Sequence, residues 1–485
     1  MTRYFVGIDV GTTATKAVLM AEGAVLNRVR SPHQAHTPAS PGRVDPFSWW
    51  ASVQDACRGL GADSITLSGI GLSIHCPVAV PMNAAGVALS DGYRFEAPGL
   101  PEIVRSITAG LTSEERRLIG NRISPATFIA AAYLLIEERE PDVARNVHTL
   151  GSVGTYIGHR LTQRLAIDPT QASYFGPFDT VESWSWQNDL AARLGIPPRT
   201  LPPVLPSTAT LGTLSVDAAD ALRLTAGAPV IVGAGDTACA AYAAGLDRTG
   251  DRLFTLGTTH VITDHTNHPN PNDRHLQRAA VNPGQWLRHG VTNGGLALAV
   301  GARMLGYGRG SDAVPRMVTE AYSADPEAIV RAPIFIPHVR SERGPLWLDT
   351  PRSALLGLTA ETDETSAAWS VVEGVLFANR LVWESYEHED TTEALLLAGD
   401  FRGDDRFVQL AADLLAASIK LSNESHLPAV GAAQLAAGAD IRNPSPAHQT
   451  VMEPRSELSA VIAKRWPRFV AARERYLAET PAPEI

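Results

Sequence analysis

The sequence predicts an α/β protein built from two similar domains, and three observations carry that reading. The tripeptide Gly-Thr-Thr occurs twice, as Gly11-Thr12-Thr13 and Gly257-Thr258-Thr259, about half a chain apart. Each copy follows a short apolar run, residues 4–10 and 253–256, and precedes another, residues 16–19 and 261–263. Around both copies, strand-like and helix-like periodicities alternate. A strand, a tight turn and a returning strand form a hairpin whose turn offers backbone N–H groups and hydroxyls to an anion. Two such hairpins facing each other across a cleft would grip a polyphosphate from both sides. A nucleotide held between two related domains is therefore expected.

The bulk properties agree. A chain of 485 residues exceeds a single core and divides most simply into domains at 1–246 and 247–485. The polar, turn-rich stretch 245–252 is the expected hinge. A net charge of −10 argues against nucleic acid or an anionic membrane as the main partner. Cys57, Cys76 and Cys239 share no metal-ligand or CxxC spacing, so a reducing cytoplasm is expected. The N-terminus reads as a strand containing Asp9, not a signal peptide, and no apolar run reaches the length of a membrane span. A small-molecule partner is expected, with a homodimer left open.

In order along the chain, residues 4–30 read as an antiparallel meander of three strands. Residues 49–60 form a candidate amphipathic helix and 65–74 a buried strand bounded by glycines. A helical pattern runs over 114–145, and a second over 187–194 before the Pro-rich stretch at 197–203. Residues 229–232 are a strand leading through Gly233-Ala234-Gly235-Asp236 into an Ala-rich helix at 237–244. The second half repeats the scheme, with helices from about 296, at 366–387 and at 406–417.

Two carboxylates stand out. Asp9 ends the first strand two residues before the turn, where it can hold Mg²⁺ against bound phosphates; it can equally cap the turn through an Asx bond. Asp236 follows a strand and opens a helix, a place for a general base acting on a hydroxyl and also for an ordinary helix N-cap. Lys16 is either a phosphate-facing cation or a solvated strand residue. His75 and Cys76 have no partner at metal or nucleophile spacing and read as pocket-lining or core residues.

These segments together resemble the FGGY family of carbohydrate kinases nearly end to end. Gly7-Ile8-Asp9-Val10-Gly11-Thr12-Thr13-Ala14-Thr15-Lys16 is similar to the first phosphate motif of that family, and Leu256-Gly257-Thr258-Thr259 to the second. Val232-Gly233-Ala234-Gly235-Asp236-Thr237-Ala238 resembles the segment of the catalytic aspartate. Pro337-His338-Val339-Arg340-Ser341-Glu342-Arg343-Gly344-Pro345-Leu346-Trp347 resembles the P-x-x-x-x-E-R-x-P-x-W segment, and residues 357–377 the signature helix region. Pro41-Gly42-Arg43-Val44-Asp45-Pro46 is similar to a stretch of the pentulose-kinase branch. The resemblance implies two ribonuclease-H-like (actin-like) domains with ATP between them and a sugar or polyol deep in the cleft. It implies that Gly11, Thr12, Thr13, Lys16, Gly257, Thr258, Gly294, Gly399 and Asp400 contact the nucleotide. Asp9 and Asp236 would hold Mg²⁺, with Asp236 as the catalytic base, and His75, Cys76 and Arg94 would line the acceptor site beside it.

The chain departs from the family pattern at three places. Gly399-Asp400-Phe401 stands where the adenine-side loop reads G-G-G or G-G-A, although Gln409-Leu410-Ala411-Ala412-Asp413 keeps the helix that follows. Cys76-Pro77 replaces the Met-His pair of xylulokinases, and the Arg-Glu of glycerol kinases is absent too. Ser90-Asp91-Gly92-Tyr93-Arg94 keeps the arginine of W-x-D-x-R but loses its aspartate. The expectation is a carbohydrate kinase with a rewritten sugar pocket, acting on an open-chain pentulose-like or aldonate-like acceptor. A non-catalytic nucleotide- or sugar-binding relative, and an actin- or chaperone-like ATPase, are the alternatives.

Overall fold

Three antiparallel strands open the chain, Tyr4–Val10, Ala14–Ala21 and Ala24–Pro32, as the meander predicts. They belong to a computed structural model that describes all residues except 1, 35–40, 349, 387–393, 400–403, 423, 439–449 and 481–485. Strand Leu67–Ile74 joins Tyr4–Val10 in parallel, and Pro229–Ile231 joins beyond it. The first sheet therefore runs third, second, first, fourth, fifth, with Thr210–Thr213 at its edge. In the second sheet the central strands repeat that order: Trp286–Thr292, His260–Thr266, Arg252–Leu256, Ala394–Gly399 and Ser418–Leu421. The repeated order is that of two ribonuclease-H-like domains, as the duplicated loop predicts.

Both faces of the first sheet are buried, which is why its strands read as continuous apolar runs. Val6, Ile8 and Val10 pack with Trp49 and Val53 of helix Pro46–Gly59. Phe5, Val18 and Met20, on the opposite face, pack on Ala429, Val430 and Ala433 of helix Leu427–Ala437. That second helix arrives from the far end of the chain and also lies against helix Asp236–Ala243. The approach is backbone on backbone. A Cβ at Gly7 would sit 1.9 Å from the Ala429 carbonyl oxygen, one at Gly71 1.8 Å from that of Ala432, and one at Gly431 2.0 Å from that of Cys239.

A small sheet of Arg43–Val44, Gly92–Arg94, Val78–Met82 and Thr149–Gly151 brings Arg94 beside Val78. One expectation needs correction. Residues 114–145 are not one helix but short pieces, Ser113–Ile119, a 3-10 turn Ile129–Ala131, Ala132–Arg139 and Pro141–Asn146. Gly120, at φ 75°, ends the first in a left-handed cap, and Pro141 starts the last at a position where its missing N–H is not needed. The helix expected from Thr237 begins one residue earlier, at Asp236.

Candidate active site

Strand register builds the first part of the site. Asp9 pairs with Lys16 on one side and with Ser73 on the other, so the three side chains share one face and one row across the sheet. Ser73 Oγ donates to Asp9 Oδ1 at 2.8 Å. The turn is closed by Gly11 N–H donating to the Ala14 carbonyl at 3.0 Å, so Asp9 is not spent on capping it. Burial, reinforced by nearby Asp236 and opposed by Lys16, pushes the Asp9 carboxyl up to about 7. Thr12 and Thr13 are exposed at the turn. His33 holds them from behind: its Nε2–H donates to the Gly11 carbonyl at 2.9 Å and its backbone N–H to that of Thr13 at 2.9 Å.

Asp236 is the first residue of its helix, and the capping position falls to Gly235, which has no side chain to offer. The Asp236 carboxylate accepts from Thr237 N–H at 2.7 Å and from the Thr237 hydroxyl at 3.2 Å. Negative charge there is favoured by the helix dipole. Burial raises its carboxyl, opposed by the Thr237 bonds, then by Arg343 and Lys16. A buried relay fixes the approach to it. Gly235 N–H donates to Thr170 Oγ1 at 2.7 Å, and the Thr170 hydroxyl and N–H both donate to fully buried Asp168.

The second Gly-Thr-Thr loop joins Arg252–Leu256 to His260–Thr266, and helix Gly294–Met304 starts directly against it. Gly295 N–H donates to the Gly257 carbonyl at 3.1 Å and Leu296 N–H to that of Thr258 at 2.9 Å. Gly294 cannot carry a side chain, since a Cβ would lie 2.3 Å from the His260 ring. Glu342 locks the same junction by accepting from Asn293 N–H at 3.1 Å and from its side-chain amide at 2.5 Å. Gly399 serves strand packing: at φ 108°, its Cβ would meet the Leu256 carbonyl oxygen at 2.1 Å. Asp400, expected beside the nucleotide, lies outside the described residues.

A cleft of about 780 Å³ runs between the loops, lined by Thr12, Thr13, Thr258 and Thr259 and also by His75, Cys76, Arg94 and Arg343. His75 Nδ1–H donates to the Val10 carbonyl at 2.8 Å, which leaves Nε2 as an acceptor. Burial pulls the His75 imidazole down to about 4, so the ring is neutral near pH 7. Burial, then Asp236, holds the Cys76 thiol well above its ordinary range, which disfavours the thiolate a nucleophile needs. Arg94 pairs with Glu96 at 3.1 Å in a half-exposed position. Arg343 lies 5.4 Å from the centre of the Phe95 ring. Among the described residues, no three His, Cys, Asp or Glu side chains form a metal-binding group.

Sequence reasoning did not assign His33, Thr170 or Arg343 to the site, and it did not pair Ser73 with Asp9. Arg343 carried a signal, because it lies inside the 337–347 segment. His33 and Ser73 carried none locally, since strand register alone brings them to Gly11 and Asp9.

The sequence matches the FGGY family of carbohydrate kinases, N-terminal domain, over residues 4–243 and the C-terminal domain of the same family over 250–439. A xylulose kinase of Staphylococcus xylosus is 22% identical over 444 residues, 90% of each chain. The crystal structure of a gluconate kinase from Lactobacillus acidophilus superposes with a TM-score of 0.87 at 20% identity, covering 99% of both chains. A ligand-bound xylulose kinase from the same organism gives 0.86 at 21% identity, covering 98% of this chain and 99% of that one. Those two structures share the fold. No helix among the described residues is long and apolar enough to cross a membrane. With family matches over both halves, this chain belongs to the FGGY family of carbohydrate kinases, which transfer a phosphoryl group from ATP to a carbohydrate.

Proposed function

We propose that the enzyme phosphorylates one hydroxyl of an open-chain acceptor of about five carbons, a xylulose-like pentulose or the corresponding aldonate, with Asp236 as general base. The observation that carries this reading is that both Gly-Thr-Thr loops line one cleft, with the paired Asp9 and Lys16 flanking the first of them. The reading divides the chain at 246/247 and places it in the cytoplasm, in keeping with three unpaired thiols.

Phosphoryl transfer asks a protein chiefly for positioning and charge stabilisation. In this reading Thr12, Thr13 and Lys16 hold the terminal phosphates from the first half, and Thr258 grips from the second. His33 keeps the first loop in shape, while Asn293 and Glu342 keep the second. Asp236 accepts the proton of the attacking hydroxyl, and burial raises its carboxyl, which makes it a stronger base than an ordinary carboxylate. The Asp168–Thr170–Gly235 relay fixes its backbone, and His75 Nε2 accepts from an acceptor hydroxyl. Two carboxylates pushed up by burial form an oxygen-only pair that a divalent cation would keep ionised. Mg²⁺ fits such a pair, because it retains water and phosphate oxygens in most of its coordination sphere. Asp9 and Asp236 would hold it, and when bound it would neutralise charge developing between the phosphates.

The test is Asp236→Asn, assayed by acceptor-dependent ADP release. The variant keeps the size of the side chain and loses the base, so turnover should fall by about 10²–10⁴-fold with nucleotide binding near wild type. Retention of most turnover would reduce Asp236 to a residue that only starts a helix.

A further inference from the structure

Helix Ser456–Glu479 lies beyond the residues matched to the family, and none of its residues lines the cleft. Two of its arginines hold the two ends of strand Ile334–His338. Arg465 is buried, donates to the Ala332 and Pro333 carbonyls at 2.9 and 3.0 Å, and pairs with Glu373 at 2.5 Å. Its charge is matched on the spot, as in a simple anchor. About two turns further on, half-buried Arg473 donates from Nε to His338 Nε2 at 2.9 Å. No carboxylate among the described residues pairs with Arg473 directly.

His338 is fully buried and carries that contact inward. An arginine N–H can only donate, so His338 Nε2 accepts and the ring proton sits on Nδ1. Nδ1 lies 3.1 Å from Glu342 Oε2, a bent contact outside full hydrogen-bond alignment. Glu342 is buried as well, and no arginine or lysine among the described residues pairs with it. Its other oxygen, Oε1, accepts from the Asn293 N–H at 3.1 Å and from the Asn293 side-chain amide at 2.5 Å. Asn293 directly precedes the helix whose first N–H groups hold the Gly257 and Thr258 carbonyls. The line Arg473, His338, Glu342, Asn293 therefore joins helix Ser456–Glu479 to the second Gly-Thr-Thr loop. A carboxylate taken out of water is costly without a positive partner, and Arg473 provides one at a single remove.

We infer that Arg473 is a positioning residue for phosphoryl transfer: through His338 it sets a positive charge opposite Glu342, and so fixes the second Gly-Thr-Thr loop in the shape that takes the nucleotide phosphates. The inference rests on the kinase reading above, in which Thr258 grips a phosphate from the second half. Without the guanidinium, Glu342 faces only a neutral imidazole on that side and is freer to leave Asn293. The wall of His75, Cys76 and Arg94 stands across the cleft, on the first half. The loss should therefore fall on the nucleotide and spare the acceptor.

The experiment compares wild type with Arg473→Gln, Arg473→Lys and Arg352→Gln in the full chain. Arg352 Nη1 donates to the Leu477 carbonyl at 2.6 Å, so its variant loosens the same end of the helix and leaves the Arg473–His338 bond in place. ADP affinity is read by calorimetry, and KM for ATP and for the acceptor with whichever of D-xylulose, D-ribulose, D-xylonate and D-ribonate turns over. Arg473→Gln should weaken ADP binding and raise KM for ATP by about 10-fold, the worth of one hydrogen bond to a charged group. Acceptor KM and kcat should stay within about 3-fold. Arg473→Lys should recover part of the loss, because an ammonium can still donate to Nε2. Should the glutamine variant not fold, the lysine variant decides alone, with a loss of about 3-fold in ADP affinity against none for Arg352→Gln. Unchanged ADP affinity, an equal rise in both KM values, or a matching loss in Arg352→Gln would overturn the inference and leave the kinase reading intact. A wild-type chain that fails to bind ADP would instead overturn the nucleotide reading beneath it, and this inference with it.

Discussion

Beside the first Gly-Thr-Thr turn, the row of paired residues across three strands is Lys16, Asp9 and Ser73. Beside the second turn the matching row is Val261, Thr255 and Ala398. The loops and the sheet order are duplicated, but the charges are not. A loop that grips a polyanion does so largely with backbone, which any copy of the turn supplies. In the proposed reading the carboxylate and the lysine would serve a single phosphoryl group, so one half would suffice for them. The two halves also differ deeper in the sheet, where Gly7 pairs with Gly71 and the counterparts Leu253 and Leu396 pair with each other. In the first sheet a helix is seated directly on the backbone at that place, through Gly7 and Gly71.

The most forceful way to break this comparison is at the charged row. Asp9→Asn should lower kcat by roughly 10²–10³-fold, the range for losing one preorganised charge-stabilising group, while Thr255→Val, its counterpart, should stay within about 3-fold. Equal losses would mean that the second row is also part of the machinery. Next in size is the glycine row. Gly71→Ala places a Cβ 1.8 Å from a carbonyl oxygen, and should cost about 2–3 kcal/mol in urea unfolding. Leu396→Met should cost less than about 1.5 kcal/mol, and a similar penalty for both would remove the distinction.

The smallest expected effect sharpens the cost of placing charge in one half. The Asp9 carboxyl is pushed up to about 7 in the folded protein from an ordinary 3.8. A raised carboxyl binds its proton more tightly when folded, so its contribution is complete at low pH and is lost as pH rises from about 4 to 7. Ligand-free Asp9→Asn should therefore be more stable than wild type at pH 8, and the gap should close below pH 4. A gap that persists at low pH would assign the effect to packing.

The parts of this molecule that can be read from sequence are those written in local chemistry. A Gly-Thr-Thr turn between apolar runs states its own geometry, and the glycines before Asp236 announce a strand that must approach something closely. The unreadable parts depend on register or on distant partners. Ser73 reaches Asp9 only because parallel pairing aligns residues 64 apart in sequence. Arg278 sits in an unremarkable strand, Leu276–Ala279, and its burial comes from Asn121 and Ser173 in the first half. The 114–145 stretch misled because helical composition continued across Gly120 and Pro141, and the backbone obeyed those two residues instead.

The helix Leu427–Ala437 carries a consequence for synthesis. A ribosome delivers the chain in order, and domains ordinarily fold as they emerge. Here the first sheet can form early, with helix Pro46–Gly59 covering one face, but the covering for the other face is made only after residue 437. Through most of translation Phe5, Val18 and Met20 wait with their glycine row bare. The nascent first half is thus expected to need shielding until helix Leu427–Ala437 emerges, and a gene cut after residue 246 should yield a fragment whose exposed apolar face favours aggregation.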